Sequence, residues 1–150
     1  MKPAGPEAAF VQSLRLLERR DRSEARLRSE LAERGFDDAA IEATVERLRS
    51  HRYLDDSRFA DELADRLARR GHGSVRARRD LEQAGVAFDV IAAALARTFA
   101  HEQALAEKVI ATRYRPPLTP ITRAKAAHFL LGRGFPEELV ESILATRDDG

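Results

Sequence analysis

Apolar residues in this chain recur every three or four positions, in groups separated by glycine or proline. Val11, Leu14 and Leu17 stand three apart, whereas Phe59, Leu63 and Leu67 stand four apart. Leu105, Ala106 and Val109 share one side of a similar stretch. Such spacing turns one face of an α-helix toward a core, and it predicts helices over 8–20, 56–70 and 99–113. No segment alternates β-branched and polar residues as a half-buried strand would.

Three further stretches share a single pattern: ELAERGFDDAAIEATV (30–45), DLEQAGVAFDVIAAAL (80–95) and FLLGRGFPEELVESIL (129–144). Aligned on Gly35, Gly85 and Gly134, Leu31 matches Leu81 and Leu130, Phe36 matches Val86 and Phe135, and Ile41 matches Ile91 and Val140. The glycines lie 50 and then 49 residues apart (85 − 35, 134 − 85). That period marks a supersecondary unit repeated in series. Each glycine stands where a helix should end in a left-handed residue, which glycine adopts without a steric penalty. The apolar residue after it precedes another by five positions, the spacing of a hydrophobic staple. Asp37 is a good N-cap, Ala87 a poor one, and Pro136 suits a first turn. Asp21 with Glu24 reads as a capping box, Gly71–Gly73 as a break, and Thr119-Pro120 as a cap followed by N1.

One helix upstream of each pair completes the pattern. The chain reads as all-α: three tandem three-helix repeats, 7–52, 53–98 and 99–147, stacked into an elongated, curved array. A unit of about 50 residues buries only roughly 60% of its unfolded surface, so neighbours help to stabilise it.

The join at RYLDDSRFA (52–60) holds two adjacent carboxylates. Such a pair can hold a metal, divide into acid and base, or start a helix. As a helix start, Asp55 is the N-cap and Asp56 meets the positive end of the helix dipole. Leu54 and Phe59 then have staple spacing, and Tyr53 closes the preceding helix against the core with its hydroxyl outward. Arg58 pairs locally or faces a partner. Adjacent carboxylates at a helix start diverge and no further ligands are evident, so neither a metal nor a cofactor is expected.

Composition narrows the function. Cysteine is absent, which removes thiolate chemistry and sulfur-ligated zinc. No apolar run approaches the roughly 18 residues that span a bilayer, and MKPAGPEAAF lacks the apolar stretch of a signal peptide. A soluble cytoplasmic protein without a membrane partner is expected. His51, His72, His101 and His128 are scattered, and phosphate-loop, nucleophile-elbow and zinc-helix motifs are missing. No catalytic residue is assigned.

Net charge is only +1, so distribution carries the information. With the same offset, Arg19 matches Arg69, Arg20 matches Arg70, Arg26 matches Arg76 and Arg28 matches Arg78; Lys125 takes the place of Arg26 and Arg76 in the third repeat. Arg113, Arg115 and Arg123 make that third corner more weakly basic. Basic corners repeated along an array can follow a phosphate backbone or an acidic protein groove. The plainer reading is helix-stabilising pairs such as Glu24–Arg28.

RDRSEARLRSELAERGF (20–36), YLDDSRFADELADRLARRGHG (53–73) and FLLGRGF (129–135) together resemble the RecX family of bacterial RecA regulators, over about residues 9–146. Two places depart from the family pattern: Arg52 stands where glycine usually precedes the tyrosine, and Arg78-Arg79-Asp80-Leu81 is looser than usual. The resemblance implies a modular, elongated, monomeric protein of tandem three-helix repeats. It also implies binding in the groove of the RecA filament on single-stranded DNA, opposing filament growth, ATPase, strand exchange and co-protease activity without catalysis. On that basis Arg19, Arg20, Arg26, Arg28, Arg69, Arg70, Arg76, Arg78, Arg79 and Lys125 are assigned to the interface with RecA or its DNA. The alternative is a stand-alone helical DNA-binding module or transcription regulator. Against it, the helix that would enter the groove begins with Asp37, Asp38 and Glu42. A metal-dependent enzyme at Asp55-Asp56 is the third reading.

Overall fold

The computed structural model describes residues 5–148, and among them the chain forms nine helices and no strand. These are α1 (Pro6–Arg19), α2 (Glu24–Glu33), α3 (Asp38–Ser50), α4 (Asp56–Arg69), α5 (Ser74–Gln83), α6 (Phe88–Thr98), α7 (Glu102–Ala111), α8 (Pro120–Gly132) and α9 (Glu137–Asp148). Packing is local: α1 lies on α3, α4 on α6 and α7 on α9, with the middle helix of each triple against both. The expected all-α architecture of consecutive three-helix packing is therefore present.

Each triple has its own core. Phe10, Leu16, Leu27, Leu31, Ile41, Val45 and Leu48 fill the first. Leu67, Leu81, Val86, Ile91 and Leu95 fill the second, and Ile110, Leu130, Phe135, Val140 and Ile143 the third. Leu105 packs against both the second and third clusters. Core membership crosses the sequence divisions at two places. Leu54 is buried with the first core and Phe99, at the end of α6, with the second. Helix α7 accordingly starts three residues later than periodicity predicts. Leu54 and Phe59 also face different cores, so they do not form the expected staple, whereas Phe36–Ile41, Val86–Ile91 and Phe135–Val140 each share one.

The middle helices end as their glycines require. Gly35, Gly85 and Gly134 have φ of 91°, 76° and 89°. The N–H of the next residue donates back to Leu31, Leu81 or Leu130, which is a Schellman closure. The end of α3 closes in the same way, with Tyr53 N–H donating to Leu48 O at 2.9 Å. Its left-handed residue, however, is Arg52, φ 60°. A Cβ costs about 1 kcal/mol in that region. Arg52→Gly is therefore expected to stabilise the protein by about 1 kcal/mol, less what glycine adds to unfolded-state entropy. A urea midpoint unchanged or lowered by the substitution would contradict this. Tyr53 closes the helix with its backbone: the residue is 51% exposed, not packed on the core as expected.

N-caps follow local chemistry. Ser23, Asp37, Asp55 and Thr119 each accept a backbone N–H three residues on. The cap of α2 is thus Ser23, not Asp21. Serine's hydroxyl reaches the Arg26 N–H, whereas Asp21 lies two residues too early and bonds the Arg22 N–H.

Candidate functional site

Successive triples meet at joints that the sequence did not reveal, and the two joints are built alike. At the first, Ser23 Oγ donates to Ala84 O at 2.6 Å and Glu24 N–H donates to Asp56 Oδ1 at 2.9 Å. At the second, Gly73 N–H donates to Arg133 O and Val75 N–H to Gly134 O, both at 2.9 Å, while Ser74 N–H donates to Glu102 Oε2 at 2.6 Å. The start of a middle helix thus docks on the closing turn of the next middle helix. The first residue of the intervening helix, Asp56 or Glu102, supplies a carboxylate to the exposed N-terminal N–H groups, where anions are favoured. Contact is close. A Cβ on Gly85 would lie 2.6 Å from Ala25 Cβ, and one on Gly134 would lie 2.7 Å from Arg76 N and collide with Arg76 Cβ.

The two aspartates of RYLDDSRFA therefore have separate partners. Asp55 caps its own helix, accepting from Arg58 N–H at 3.1 Å; Asp56 caps the preceding triple. Burial pushes the Asp56 carboxyl above its ordinary value, opposed by the hydrogen bond from Glu24 N–H, with the Glu24 carboxylate adding to the rise. Arg58 stays exposed and bonds locally, donating to Arg52 O at 3.2 Å. Among the described residues no three His, Cys, Asp or Glu side chains converge as a metal site. Asp56→Ala should cost about 1 kcal/mol through the lost cap. Asp56→Asn keeps an acceptor and relieves a buried charge, so it should change stability by less than about 0.5 kcal/mol. Equal losses for both in chemical denaturation would mean that the charge, not the acceptor, holds the joint.

The basic residues are placed equivalently but partnered differently. Arg19 and Arg69 end α1 and α4, Arg20 and Arg70 are their C-caps, and Arg26 with Arg76 and Arg28 with Arg78 occupy matching turns of α2 and α5. Arg28 is held by Glu42 at 2.9 Å and faces Glu24 at 3.7 Å. Its counterpart Arg78 has Ser74 and Ala92 at those two positions, and no ion-pair partner among the described residues. Arg69 pairs with Asp65 at 2.6 Å, whereas the corresponding neighbour of Arg19 is Arg15. Arg76 pairs with Asp80 at 3.0 Å and packs on the Gly134 turn. Arg26 reaches Glu30 only at 3.5 Å and Arg79 reaches Asp80 only at 3.7 Å. The side chains of Arg19, Arg20, Arg70, Arg78 and Lys125 are exposed and unpaired among the described residues.

Other cations serve the fold. Arg22, its side chain 12% exposed, binds Glu30 at 2.5 Å, Arg20 O at 2.6 Å and Leu16 O, tying the end of α1 to α2. Arg133 Nη1 donates to Arg70 O across the second joint. Beside the first joint lies a cleft of about 690 Å³ between α2 and α4, where Arg20, Arg26 and Arg66 face Glu30, Glu33 and Glu62. Arg66 completes this cleft without having been singled out by repeat matching, because the 50-residue offset places it opposite Leu16 rather than a cation.

Residues 9–48 match the family model described as RecX, first three-helix domain, and residues 55–95 that of the second three-helix domain. A regulatory protein RecX from Ralstonia nicotianae is 32% identical, covering 99% of this chain and 96% of the relative. One from Halorhodospira halophila is 34% identical over 97% of this chain and 92% of its own length. The crystal structure of RecX from Lactobacillus salivarius superposes with a TM-score of 0.79 at 18% identity, covering 96% of this chain and 97% of that one. A further crystal structure of a regulatory protein RecX gives 0.76 at 23%, over 94% and 71%. At those identities the two structures speak to fold. Two domain models, near full-length relatives above 30% identity and matching folds converge on one statement: the chain belongs to the RecX family of regulatory proteins.

Proposed function

We propose that this chain is a non-enzymatic regulator that binds the RecA filament on single-stranded DNA in the cytoplasm, opposing its growth, ATPase, strand exchange and co-protease activity. Three tandem units, 7–52, 53–98 and 99–147, would present their basic corners to the filament, and the protein would act as a monomer. The observation that carries this reading is that each unit has exposed cations without an ion-pair partner among the described residues: Arg19 and Arg20 on the first unit, Arg70 and Arg78 on the second, and Lys125 on the third, with Arg20 and Arg70 at matching places. Unpaired cations on each of the successive units suit a partner that itself repeats, such as a helical filament with a polyanion at its axis. Arg28, Arg69 and Arg76 already have carboxylates and belong to the scaffold in this reading; Arg26 and Arg79, weakly paired, lie at its margin.

The test is RecA ATPase on single-stranded DNA, titrated with this protein at two salt concentrations. Inhibition that weakens at higher salt is expected, since screening reduces exposed charge contacts. No effect at either salt would remove the RecA reading. Tight, sequence-selective binding to naked duplex DNA would favour the stand-alone DNA-binding module instead.

A further inference from the structure

The two joints share a pattern of hydrogen bonds but not their packing. Counted from the carboxylates Asp56 and Glu102, Phe59 and Leu63 of α4 correspond to Leu105 and Val109 of α7. Leu105 packs on the second core as well as the third, and Val109 lies 3.3 Å from where a Cβ on Gly71 would stand. Phe59 and Leu63 pack on the second core alone and border the open cleft of about 690 Å³.

The cause lies just before each middle helix. On the 50-residue offset, Asp21-Arg22-Ser23 corresponds to Gly71-His72-Gly73. A Cβ on Gly73 would stand 2.5 Å from Gly134 O and 2.7 Å from the Phe135 ring, so the missing side chain lets the third triple close on the second. The first joint has side chains instead. Asp21 and Arg22 line its cleft, and Arg22 is fixed there by Glu30, Arg20 O and Leu16 O. That joint consists of Ser23 on Ala84, Glu24 N–H on Asp56, and Ala25 against Gly85. Glu24 and Asp56 also border a second hollow of about 410 Å³, with Arg52, Leu54 and Val90. Among the described residues no apolar side chain belongs to both the first and second cores.

Charges on the walls of the larger cleft are complementary. Glu33, Glu62 and Arg66 are exposed and have no ion-pair partner among the described residues, and Arg26 reaches Glu30 only at 3.5 Å. Helices α2 and α4 both start at the joint, where Glu24 N–H meets Asp56. At about 1.5 Å per residue, Glu33 lies about 14 Å along α2 and Arg66 about 15 Å along α4. Opposite charges thus stand level on the two walls, with Arg26 and Glu62 nearer the joint.

We infer that the first joint is a hinge and the second is not. The second and third triples move as one body, and the first swings about Ser23 and Glu24 to close the cleft, pairing Glu33 with Arg66 and Arg26 with Glu62. A small polar interface permits such motion, whereas a shared apolar contact resists it. Closure changes the distance between the cations of the first and second units and leaves that between the second and third fixed.

The chain has no cysteine, so nitroxide pairs can be attached at chosen sites of the full chain. One pair, Ala32→Cys with Asp65→Cys, spans the first joint; Glu82→Cys with Ala111→Cys spans the second at equivalent exposed positions. Double electron–electron resonance should give the first pair a distance distribution at least about twice as wide as the second, with a separate shorter population. Glu33→Gln with Glu62→Gln, or salt raised to about 0.5 M, should reduce that shorter population at least about threefold with unchanged helical circular dichroism. Equal widths, or a wider distribution for the second pair, would overturn the hinge. Absence of the shorter population, or its indifference to both the substitutions and salt, would overturn closure by these ion pairs.

Discussion

Replacing Arg20, Arg70 and Arg78 together by glutamate is expected to raise the concentration needed for half-inhibition of RecA ATPase by roughly a hundredfold. An exposed charge pair contributes about 1 kcal/mol or less, and reversal substitutes repulsion for attraction, so three reversals sum to about 3 kcal/mol. All three side chains are exposed and none has an ion-pair partner among the described residues, so the fold should be retained. The companion variant, Arg28→Gln with Arg69→Gln and Arg76→Gln, removes the same number of cations from places that already have carboxylates. It should lose some stability but less than about fivefold in inhibition. If both triple variants lose activity equally in the ATPase titration, the paired cations matter as much as the unpaired ones and the assignment to unpaired corners fails.

Gly134→Ala is expected to be the most destabilising single substitution considered, at about 3 kcal/mol. Roughly 1 kcal/mol comes from forcing a Cβ into the left-handed region and about 2 kcal/mol from overpacking against the backbone and Cβ of Arg76. Two residues away the sign should reverse. Gly132 lies within α8 and an added Cβ there meets nothing within 4 Å, so Gly132→Ala should stabilise by about 0.5–1 kcal/mol. Urea unfolding of both variants separates the two glycines. A midpoint for Gly134→Ala within experimental error of the parent would mean that the second joint does not couple the triples.

Much of the fold was legible because its signals are local. Leu31, Gly35 and Phe36 lie within six residues of one another, and together they specify a helix, its end and the start of the next. Asp37 and Asp55 cap helices that begin beside them. The joints were not legible for the opposite reason. Asp56 serves Glu24, 32 residues away, and Ser23 serves Ala84, 61 residues away, so no periodicity links them. Leu54 and Phe99 pack with the core that precedes them, which periodicity does not reveal because it finds helices, whereas the residue closing a core lies in the connection after one. The basic positions were readable as a repeat, but their standing depended on what surrounded them. Arg28 and Arg78 share a place in the repeat and differ because Glu24 and Glu42 give way to Ser74 and Ala92. The grouping of those cations into one binding surface remains the proposal that the first variant tests.

The direction of the joints bears on how the chain is made. Middle helices α2 and α5 begin seven residues before Leu31 and Leu81, flush with the joint, whereas α8 begins ten before Leu130. Its additional turn bonds Arg123 N–H internally to Thr119 O at 2.8 Å. Helices α2 and α5 instead receive their N-terminal partners from residues that follow them: Asp56 and Ala84 for the first, Glu102 and Arg133 for the second. On a ribosome, where folding runs from the N-terminus, neither is completed when its own triple emerges. A nascent chain halted before residue 84 holds a packed first core but an unfinished start to α2. Helix α8, capped by Thr119 just before it, starts with partners already synthesised.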